Sequence, residues 1–301
     1  LVSSAPTIWG EKIVMRLLRS SGGVPDLPEL GLRGLGLKRV EEAILKPNGI
    51  IIVCGPTGSG KTTTLYSAIT RINNPGLNIM TIEDPVEYEI KGITQVQVNR
   101  EAGLTFASAM RSFLRQDPDI IMVGEIRDQE TTELAIQASL TGHLVFSTLH
   151  TNQAAGTIPR LLDLGAEPFL LASSLSLVVG QRIARRICPN CREEYQPDKT
   201  NLDELSAVLG KILPKKKEEI KFFRGKGCEQ CNNTGYYGRV GIFEVLSVSE
   251  KIVKLILERA PAGEIEKQAV EEGMITMLQD GYLRVVEGVS TMEEVVRVVR
   301  D

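Results

Sequence analysis

The sequence predicts an α/β fold, in which helices flank a doubly wound and mostly parallel sheet, and two patterns carry this prediction. Short apolar runs typical of buried parallel strands alternate with helical periodicity between about residues 37 and 180. The first strong run, Ile50–Cys54, leads into the glycine-rich stretch Gly55–Thr62, after which apolar residues recur at helical spacing as far as Ile72. A strand, a glycine-rich turn and a helix in this order form the usual context for a phosphate-binding loop.

The residues before this stretch divide into three segments. Residues 1–20 have the alternation and β-branching of an edge or hairpin strand. Because the chain begins with Leu rather than Met, we expect them to be the end of a truncated N-terminal domain. Residues 21–36 are rich in glycine and lack a sustained period, which predicts a linker that lets the preceding part move. A helix is predicted over Leu37–Ile44, ended by Pro47 and Gly49.

The glycine-rich stretch matches the pattern G-x-x-x-x-G-K-[ST] of nucleoside triphosphate binding. Glycines let the backbone N–H groups face phosphate oxygens, and Lys61 can reach the β- and γ-phosphates. The Thr62 hydroxyl is placed to ligate Mg²⁺, so we predict that ATP and Mg²⁺ bind here. The predicted nucleotide-binding residues of the loop are Gly55, Pro56, Thr57, Gly58, Ser59, Gly60, Lys61, Thr62 and Thr63.

Acidic residues follow two of the later strands. The run Asn78–Glu83 ends in Glu83, Asp84 and Glu87, and the run from Asp119 delivers Glu125. In an open α/β sheet the carboxyl ends of parallel strands line the ligand crevice, where Glu125 could orient or deprotonate an attacking water. Gly124 stands where many phosphate-loop enzymes have an Asp, so Mg²⁺ would be held mainly by Thr62, the phosphates and water. Solvated surface acids are the alternative in both places.

The two histidines of the chain flank the predicted strand Leu144–Leu149. His150 follows its carboxyl end, which favours a role in the crevice over a structural one. For His143 the two roles stay evenly balanced. Arg111 and Arg115 lie on a predicted helix and could stabilise transition-state charge in a neighbouring subunit, although a solvated helix face explains them equally well.

Four of the five cysteines form two C-x-x-C pairs, Cys188 with Cys191 and Cys228 with Cys231. Each pair offers half of a tetrahedral thiolate site, so together they predict structural Zn²⁺ binding. A redox or disulfide role for one pair is the alternative. Beyond Ser249 the periodicity is helical to the end of the chain.

The overall composition excludes some classes of protein. The hydrophobic content of 42 % fits a chain with a substantial core, and the formal net charge of −3 provides no general field for a polyanion. Nucleic acid is therefore not favoured as a partner. The most apolar window, Phe169–Val179, is too short and too polar to cross a bilayer, and no secretory signal opens the chain.

These motifs, taken in order, resemble the type II secretion and type IV pilus ATPases. The likeness rests on the phosphate loop and on three further stretches, which that family calls the Asp box, the Walker B motif and the His box. They are Thr81–Tyr88, Arg115–Asp119 with Gly124–Asp128, and Thr141–His143 with Leu149–Asn152. The resemblance implies a RecA-like ATPase core in a homohexameric ring with nucleotide between subunits. It also implies a cytoplasmic motor at the inner face of the cytoplasmic membrane, held there by an inner-membrane platform protein and associated assembly components.

The resemblance also implies roles for single residues. It assigns Glu125 to catalysis, with Glu87 and His150 in the same crevice, and Glu83, Asp84 and His143 to contacts with or sensing of the nucleotide. Arg16 and Arg19 could be interdomain arginines that reach the nucleotide, although plain charges at a strand end explain them as well. The tetracysteine segment looks like that of the secretion and pilus-extension branches.

The expected organisation follows from these likenesses. It consists of the end of a truncated N-terminal domain (1–20), a linker (21–36), a RecA-like ATPase core (37–185), a tetracysteine zinc subdomain (186–240) and a helical C-terminal subdomain (241–301). A motor that assembles pilin-like subunits is the leading interpretation. A nucleic-acid translocase is the alternative, and a regulatory nucleotide-binding module with little turnover is disfavoured by the pairing of Lys61 with Glu125.

Overall fold

The computed structural model describes residues 2–15, 23–214 and 219–300. The strands are β1 (Val2–Thr7), β2 (Gly10–Met15), β3 (Gly49–Cys54), β4 (Ile79–Glu83), β5 (Thr94–Gln97), β6 (Ile120–Val123), β7 (Leu144–Leu149), β8 (Leu175–Ile187), β9 (Arg192–Tyr195), β10 (Phe222–Gly225) and β11 (Tyr236–Ser247). The helices are α1 (Leu27–Leu30), α2 (Gly34–Ile44), α3 (Lys61–Ile72), α4 (Phe106–Phe113), α5 (Gln129–Leu140), α6 (Ala154–Asp163), α7 (Pro168–Ser174), α8 (Lys199–Leu209), α9 (Glu250–Leu257), α10 (Ala262–Glu271), α11 (Met277–Val286) and α12 (Met292–Arg300).

A seven-stranded mixed sheet forms the centre of the molecule, in the order β11-β8-β3-β7-β6-β4-β5. The strands from β8 to β5 run parallel, and β11 is antiparallel to β8 at one edge. Every residue of β3, β6 and β7 is buried, as the continuous apolar runs predict. Helices cover both faces: α1 to α3 pack on one side, and α4 to α7 with α9 and α10 on the other. The predicted doubly wound α/β fold is confirmed.

Residues at the start of the chain form a hairpin of β1 and β2, all of whose residues are exposed. Arg16 and Arg19 lie outside the described residues. The described part of the predicted linker, from Gly23 on, is packed rather than loose. Asp26 and Glu29 form a capping box at α1, and Leu27 is fully buried. Ser67 Oγ also donates to Pro25 O over 2.6 Å, so this segment is held against α3.

Two of the expected domain boundaries fall inside strands of the central sheet. The boundary after residue 185 lies within β8, and the one after residue 240 lies within β11. The cysteine-containing segment thus leaves the sheet at the end of β8 and returns to it at the start of β11. A third apolar cluster contains residues of this segment, of β8 and β11, and of α11 and α12. The last two helices therefore pack against the cysteine-containing segment and against the edge of the sheet.

Helix α12 is tied to β8 by a buried acid. The Glu294 carboxylate accepts the Arg185 backbone N–H over 2.9 Å and both the Arg185 and Arg297 guanidinium groups over 2.7 Å. Burial raises the pKa of Glu294, but the hydrogen bonds from Arg297 and Arg185 outweigh burial and lower it to about 2 from its usual 4.5.

This depressed pKa predicts a pH-dependent contribution to stability. A lowered carboxyl pKa stabilises the fold above its unfolded-state value and loses that effect as pH falls through the folded-state value. We expect Glu294→Gln to lower the free energy of unfolding by up to ~3 kcal/mol at pH 7 and by progressively less between pH 5 and pH 2.5. Urea denaturation of both proteins across this range measures the difference. A difference that does not change with pH would contradict the assignment.

None of the helices in the described ranges combines the length and the apolar character that crossing a membrane requires.

Candidate nucleotide-binding site

The phosphate loop connects β3 to α3, as predicted, at the carboxyl edge of the sheet. Gly58 and Gly60 have φ of 81° and 85°, which side chains rarely tolerate. A Cβ at Gly60 would also lie 2.9 Å from both Gln181 Nε2 and Ile183 Cδ1. Above Gly58, by contrast, a Cβ would meet nothing within 4 Å. The loop therefore packs against β8 at Gly60, whereas the space beside Gly58 is open to a ligand.

Two polar side chains of the loop are arranged to receive an anion. Ser59 Oγ is buried and has no hydrogen-bond partner among the described residues. Lys61 is 9 % exposed, and its Nζ donates to Gly55 O over 2.9 Å and Pro56 O over 3.0 Å. Burial lowers the pKa of Lys61, and the charge of Glu125 opposes that shift. Lys61 follows β3 and Glu125 follows β6, so both lie at the carboxyl edge of the sheet, and the loop fits a bound triphosphate.

Gln181 of β8 supports the loop and was missed in the sequence. Its Oε1 accepts the Thr64 hydroxyl over 2.8 Å, which fixes the first turn of α3 to the sheet. A polar residue directly after the apolar run Leu177–Val179 of β8 was the signal that could have identified it, because buried polar groups need partners.

Glu125 follows β6 and lies at the same edge of the sheet as the phosphate loop. Its side chain is only 13 % exposed, and Oε2 lies 2.5 Å from Arg127 Nε and 3.4 Å from His150 Nε2. His150 follows the carboxyl end of the neighbouring strand β7. The side chains of Glu125 and His150 therefore meet, as a catalytic pair at this edge would require. The side-chain hydrogen bond to Glu125 raises the pKa of Arg127.

Glu83, Asp84 and Glu87 take different positions. Glu83 is buried, and its carboxylate accepts Tyr66 Oη, Thr81 Oγ1 over 2.6 Å and Gln95 Nε2 over 3.2 Å. Burial and the hydrogen bond to Glu83 raise the pKa of Tyr66. Asp84 pairs with Arg100 over 3.3 Å, and the Glu87 backbone N–H lies 3.4 Å from Tyr66 Oη. Glu83 thus fastens α3 to the segment after β4 through internal bonds.

Comparison with known proteins decides the family. Residues 1–297 match the family described as Type II/IV secretion system protein. The chain belongs to this family. The type IV pilus assembly ATPase PilB of Myxococcus xanthus is 48 % identical over 295 residues, which cover 98 % of this chain and 51 % of that protein. The type II secretion system protein E of Pseudomonas aeruginosa is 47 % identical over 300 residues, which cover 100 % of this chain and 58 % of that protein. The chain therefore spans about half the length of these curated relatives.

Solved structures of secretion and pilus ATPases share the fold. The pilus retraction motor PilT, solved with bound ADP, has a TM-score of 0.71 at 30 % identity, with 98 % of this chain and 72 % of that chain covered. The ATPase DotB of Legionella pneumophila has a TM-score of 0.68 at 23 % identity, with 98 % of this chain and 70 % of that chain covered. Membership in the Type II/IV secretion system family implies ATP and Mg²⁺ as ligands, and the phosphate loop fits both.

Other predicted residues of this secretion-family chain lie away from the loop. His143 precedes β7, at the opposite edge of the sheet from the carboxyl ends, and its Nδ1 lies 2.7 Å from Ala138 O. Within one chain it does not reach the phosphate loop. Arg111 pairs with Glu130 on the surface, and Arg115 is also exposed.

The four paired cysteines converge at the base of the excursion between β8 and β11. Their sulfur atoms all lie within 4.8 Å of one another. The separations Cys188–Cys228, Cys191–Cys231 and Cys228–Cys231 are 3.8, 3.9 and 3.7 Å. A tetrahedral ion with metal–sulfur bonds of about 2.3 Å requires sulfur atoms about 3.8 Å apart. The group could therefore hold a metal ion.

Hydrogen-bond donors surround three of the four sulfur atoms. Asn190 Nδ2 donates to Cys228 Sγ over 3.4 Å. The backbone N–H groups of Gly227 and Gly235 donate to Cys191 Sγ and Cys231 Sγ, each over 3.3 Å. Donors of this kind stabilise thiolates, which is the form in which cysteine ligates a metal.

Proposed function

We propose that the chain binds Mg·ATP and hydrolyses it, and that it does so as the motor part of a machine that assembles pilin-like subunits in type II secretion or a type IV pilus. The observation that carries the proposal is the shared position of Lys61 and Glu125 at the carboxyl edge of the sheet, the first on the phosphate loop after β3 and the second after β6, with His150 beside Glu125. The similarity to PilB, a type IV pilus assembly ATPase, and to type II secretion system protein E supports the same activity.

Each residue of the site has a distinct task in this proposal. Lys61 exchanges its contacts with the Gly55 and Pro56 carbonyls for phosphate oxygens, and Ser59 Oγ gains a partner. Thr62 and the phosphates would hold Mg²⁺, which when bound neutralises charge on the phosphate oxygens. Glu125 orients the attacking water and accepts its proton, while His150 fixes the direction of the Glu125 carboxylate.

The finer assembly is part of the proposal. We propose a homohexamer with nucleotide between subunits, association with the cytoplasmic face of the inner membrane through a platform protein, and Zn²⁺ in the tetracysteine site. Four thiolates at tetrahedral spacing favour Zn²⁺ over Mg²⁺ or Ca²⁺, which prefer oxygen ligands. We also propose the domain division expected from the sequence, with the packed segment 23–36 assigned to the ATPase core.

Phosphate release is the direct test. The wild-type protein is expected to hydrolyse Mg·ATP, to lose activity when EDTA removes Mg²⁺, and to lose nucleotide affinity in Lys61→Ala. Single-stranded DNA is the added arm, because a nucleic-acid translocase would show strong, salt-sensitive stimulation by DNA. Turnover that DNA leaves unchanged supports the assembly motor. Strong stimulation would favour the translocase, and turnover that Lys61→Ala leaves intact would overturn the site itself.

A further inference from the structure

A buried carboxylate on β11 joins two helices that belong to different parts of the fold. Glu244 is 4 % exposed. Its Oε1 accepts the Ala154 N–H at the start of α6 over 2.6 Å, and its Oε2 accepts the Met277 N–H at the start of α11 over 3.0 Å. One side chain therefore caps both helix N-termini, where a negative charge is favoured by the unpaired N–H groups and the helix dipole.

The first of these helices begins directly after the segment that carries His150. Only Thr151, Asn152 and Gln153 separate His150 from Ala154. The position of the α6 N-terminus therefore limits where the His150 ring can lie relative to Glu125, 3.4 Å away. The second helix, α11, packs with α12 at the C-terminal end of the chain.

A buried cation on the adjacent strand makes a parallel connection. Arg182 of β8 is 4 % exposed. Its Nη2 donates to Asn152 O over 3.1 Å, and its Nε donates to Val298 O of α12 over 3.1 Å. Arg182 thus holds the middle of the 151–153 segment and the last helix at once. Burying two charged side chains is costly unless each is fully paired, so their joint use here indicates a requirement for fixed geometry.

The sheet leaves room for this arrangement. Glu244 lies opposite Gly180 in the β8–β11 register. A Cβ at Gly180 would lie 2.7 Å from Glu244 Cγ and 2.8 Å from its Oε1. No side chain fits at position 180 while Glu244 keeps its bonds.

We propose that Glu244 and Arg182 are positioning residues that set His150 against Glu125 and make this geometry depend on the C-terminal helices α11 and α12. Movement of those helices would displace Glu244 and Arg182 and thereby change the alignment of the Glu125 carboxylate. The phosphate loop itself would not have to move. The inference rests on the proposed ATP hydrolysis, because it assigns His150 a role in that reaction. Burial raises the pKa of Glu244, and the two N–H donors oppose that shift.

The test uses Glu244→Gln and Gly180→Ala in the intact protein. Gln has one acceptor oxygen and cannot satisfy both N–H donors, and Ala at 180 displaces the carboxylate without changing its charge. We expect each variant to lower kcat about 10-fold while the Kd for a fluorescent ADP analogue stays within about twofold. Ser249→Ala is the control: it also removes a side-chain cap from a helix N-terminus, that of α9, but the hydrogen bonds of Ser249 go to Ile252 and Glu272 rather than to α11, α12 or the 150–154 segment. It is expected to affect stability and leave kcat within about twofold.

A double-mutant cycle separates positioning from general weakening. If Glu244 acts through His150, Glu244→Gln should have little further effect on kcat in a His150→Ala background. Additive effects would overturn the proposal, as would a Ser249→Ala protein that loses the same activity.

Hydrogen exchange tests the physical connection independently of turnover. Glu244→Gln should raise the exchange of peptides covering 150–156 and 276–283, with peptides covering 55–63 unchanged. If the wild-type protein lacks ATPase activity, only the proposed function is rejected, because hydrogen exchange still reports on the contacts of Glu244 with α6 and α11. Unchanged exchange in either of the first two peptides would reject the connection.

Discussion

Replacing Glu125 with Gln is expected to lower kcat for Mg·ATP hydrolysis by about 10²–10³-fold. The amide has the shape of the carboxylate but cannot accept a proton from water. The nucleotide Kd should stay within about threefold, because Ser59 and Lys61 are unchanged and still contact the phosphates. Phosphate release under saturating nucleotide, together with equilibrium binding of a fluorescent analogue, measures both quantities. The expected profile is that of a residue whose interaction matters in the transition state rather than in the ground state.

Glu130→Gln is the matched control for this substitution. Glu130 lies at the start of α5, five positions after Glu125, but it is exposed and pairs with Arg111 on the surface. Surface pairs of this kind contribute little, so its activity should stay within about twofold of wild type. Comparable losses in the two variants would show a general effect of removing acid at this edge. Full activity in Glu125→Gln would place the base elsewhere.

The parts of the fold that the sequence predicts well are those whose signals are local. A run such as Ile50–Cys54 is apolar at every position because a central parallel strand is covered on both faces, so its pattern is visible without a partner. The phosphate loop is equally local, since its glycines and Lys61 act on a ligand rather than on distant residues. The spacing of the cysteines in the two C-x-x-C pairs is likewise enough to predict metal binding.

Features that depend on contacts far along the chain were harder to predict. Gly238 and Gly241 interrupt β11, which lies at the edge of the sheet and pairs with β8. Its residues therefore show no strong hydrophobic period. Glu83 was expected in the crevice. Its side chain lies on the same side of β4 as that of Thr81, two positions earlier. There it accepts hydrogen bonds from Thr81 and Tyr66. Side-chain direction decided this outcome, and a strand-end position does not specify it.

The charged residues in β8 and β11 show the same limit. Arg182 and Glu244 are charged residues next to apolar residues of β8 and β11, which is a detectable signal that a buried partner exists. Their partners are backbone groups of α6, α11, α12 and Asn152, between 30 and 116 residues away along the chain. No sequence pattern identifies such acceptors and donors, because every backbone offers them.

On the proposal that the tetracysteine site holds Zn²⁺, removal of this ion is expected to cause the largest loss of stability. Cys228→Ser removes one of four ligands whose sulfur atoms stand at tetrahedral spacing. A structural Zn²⁺ site contributes on the order of 10 kcal/mol of binding free energy, so losing it should unfold the 188–235 excursion. Purified wild-type protein should contain one Zn²⁺ per chain by elemental analysis, and the variant almost none, with a lower Tm. Cys54→Ala is the matched control: Cys54 is buried in the core away from the four ligands, so this variant should keep its metal.

The position of the site predicts how far this damage spreads. The Cys188 N–H donates to Gly235 O over 2.9 Å, which clamps the end of β8 to the start of β11. Glu244 and Gly180 face each other at the far end of the same strand pair, about 25 Å away at the rise of an extended chain. Metal loss should therefore fray the near end of β8 and β11 and lower Tm while leaving kcat within about threefold below the unfolding transition. Metal-free protein that keeps its Tm, or an iron–sulfur absorbance in place of zinc, would contradict the structural assignment. Loss of kcat in parallel with metal at low temperature would instead show that the excursion itself holds the catalytic edge in place.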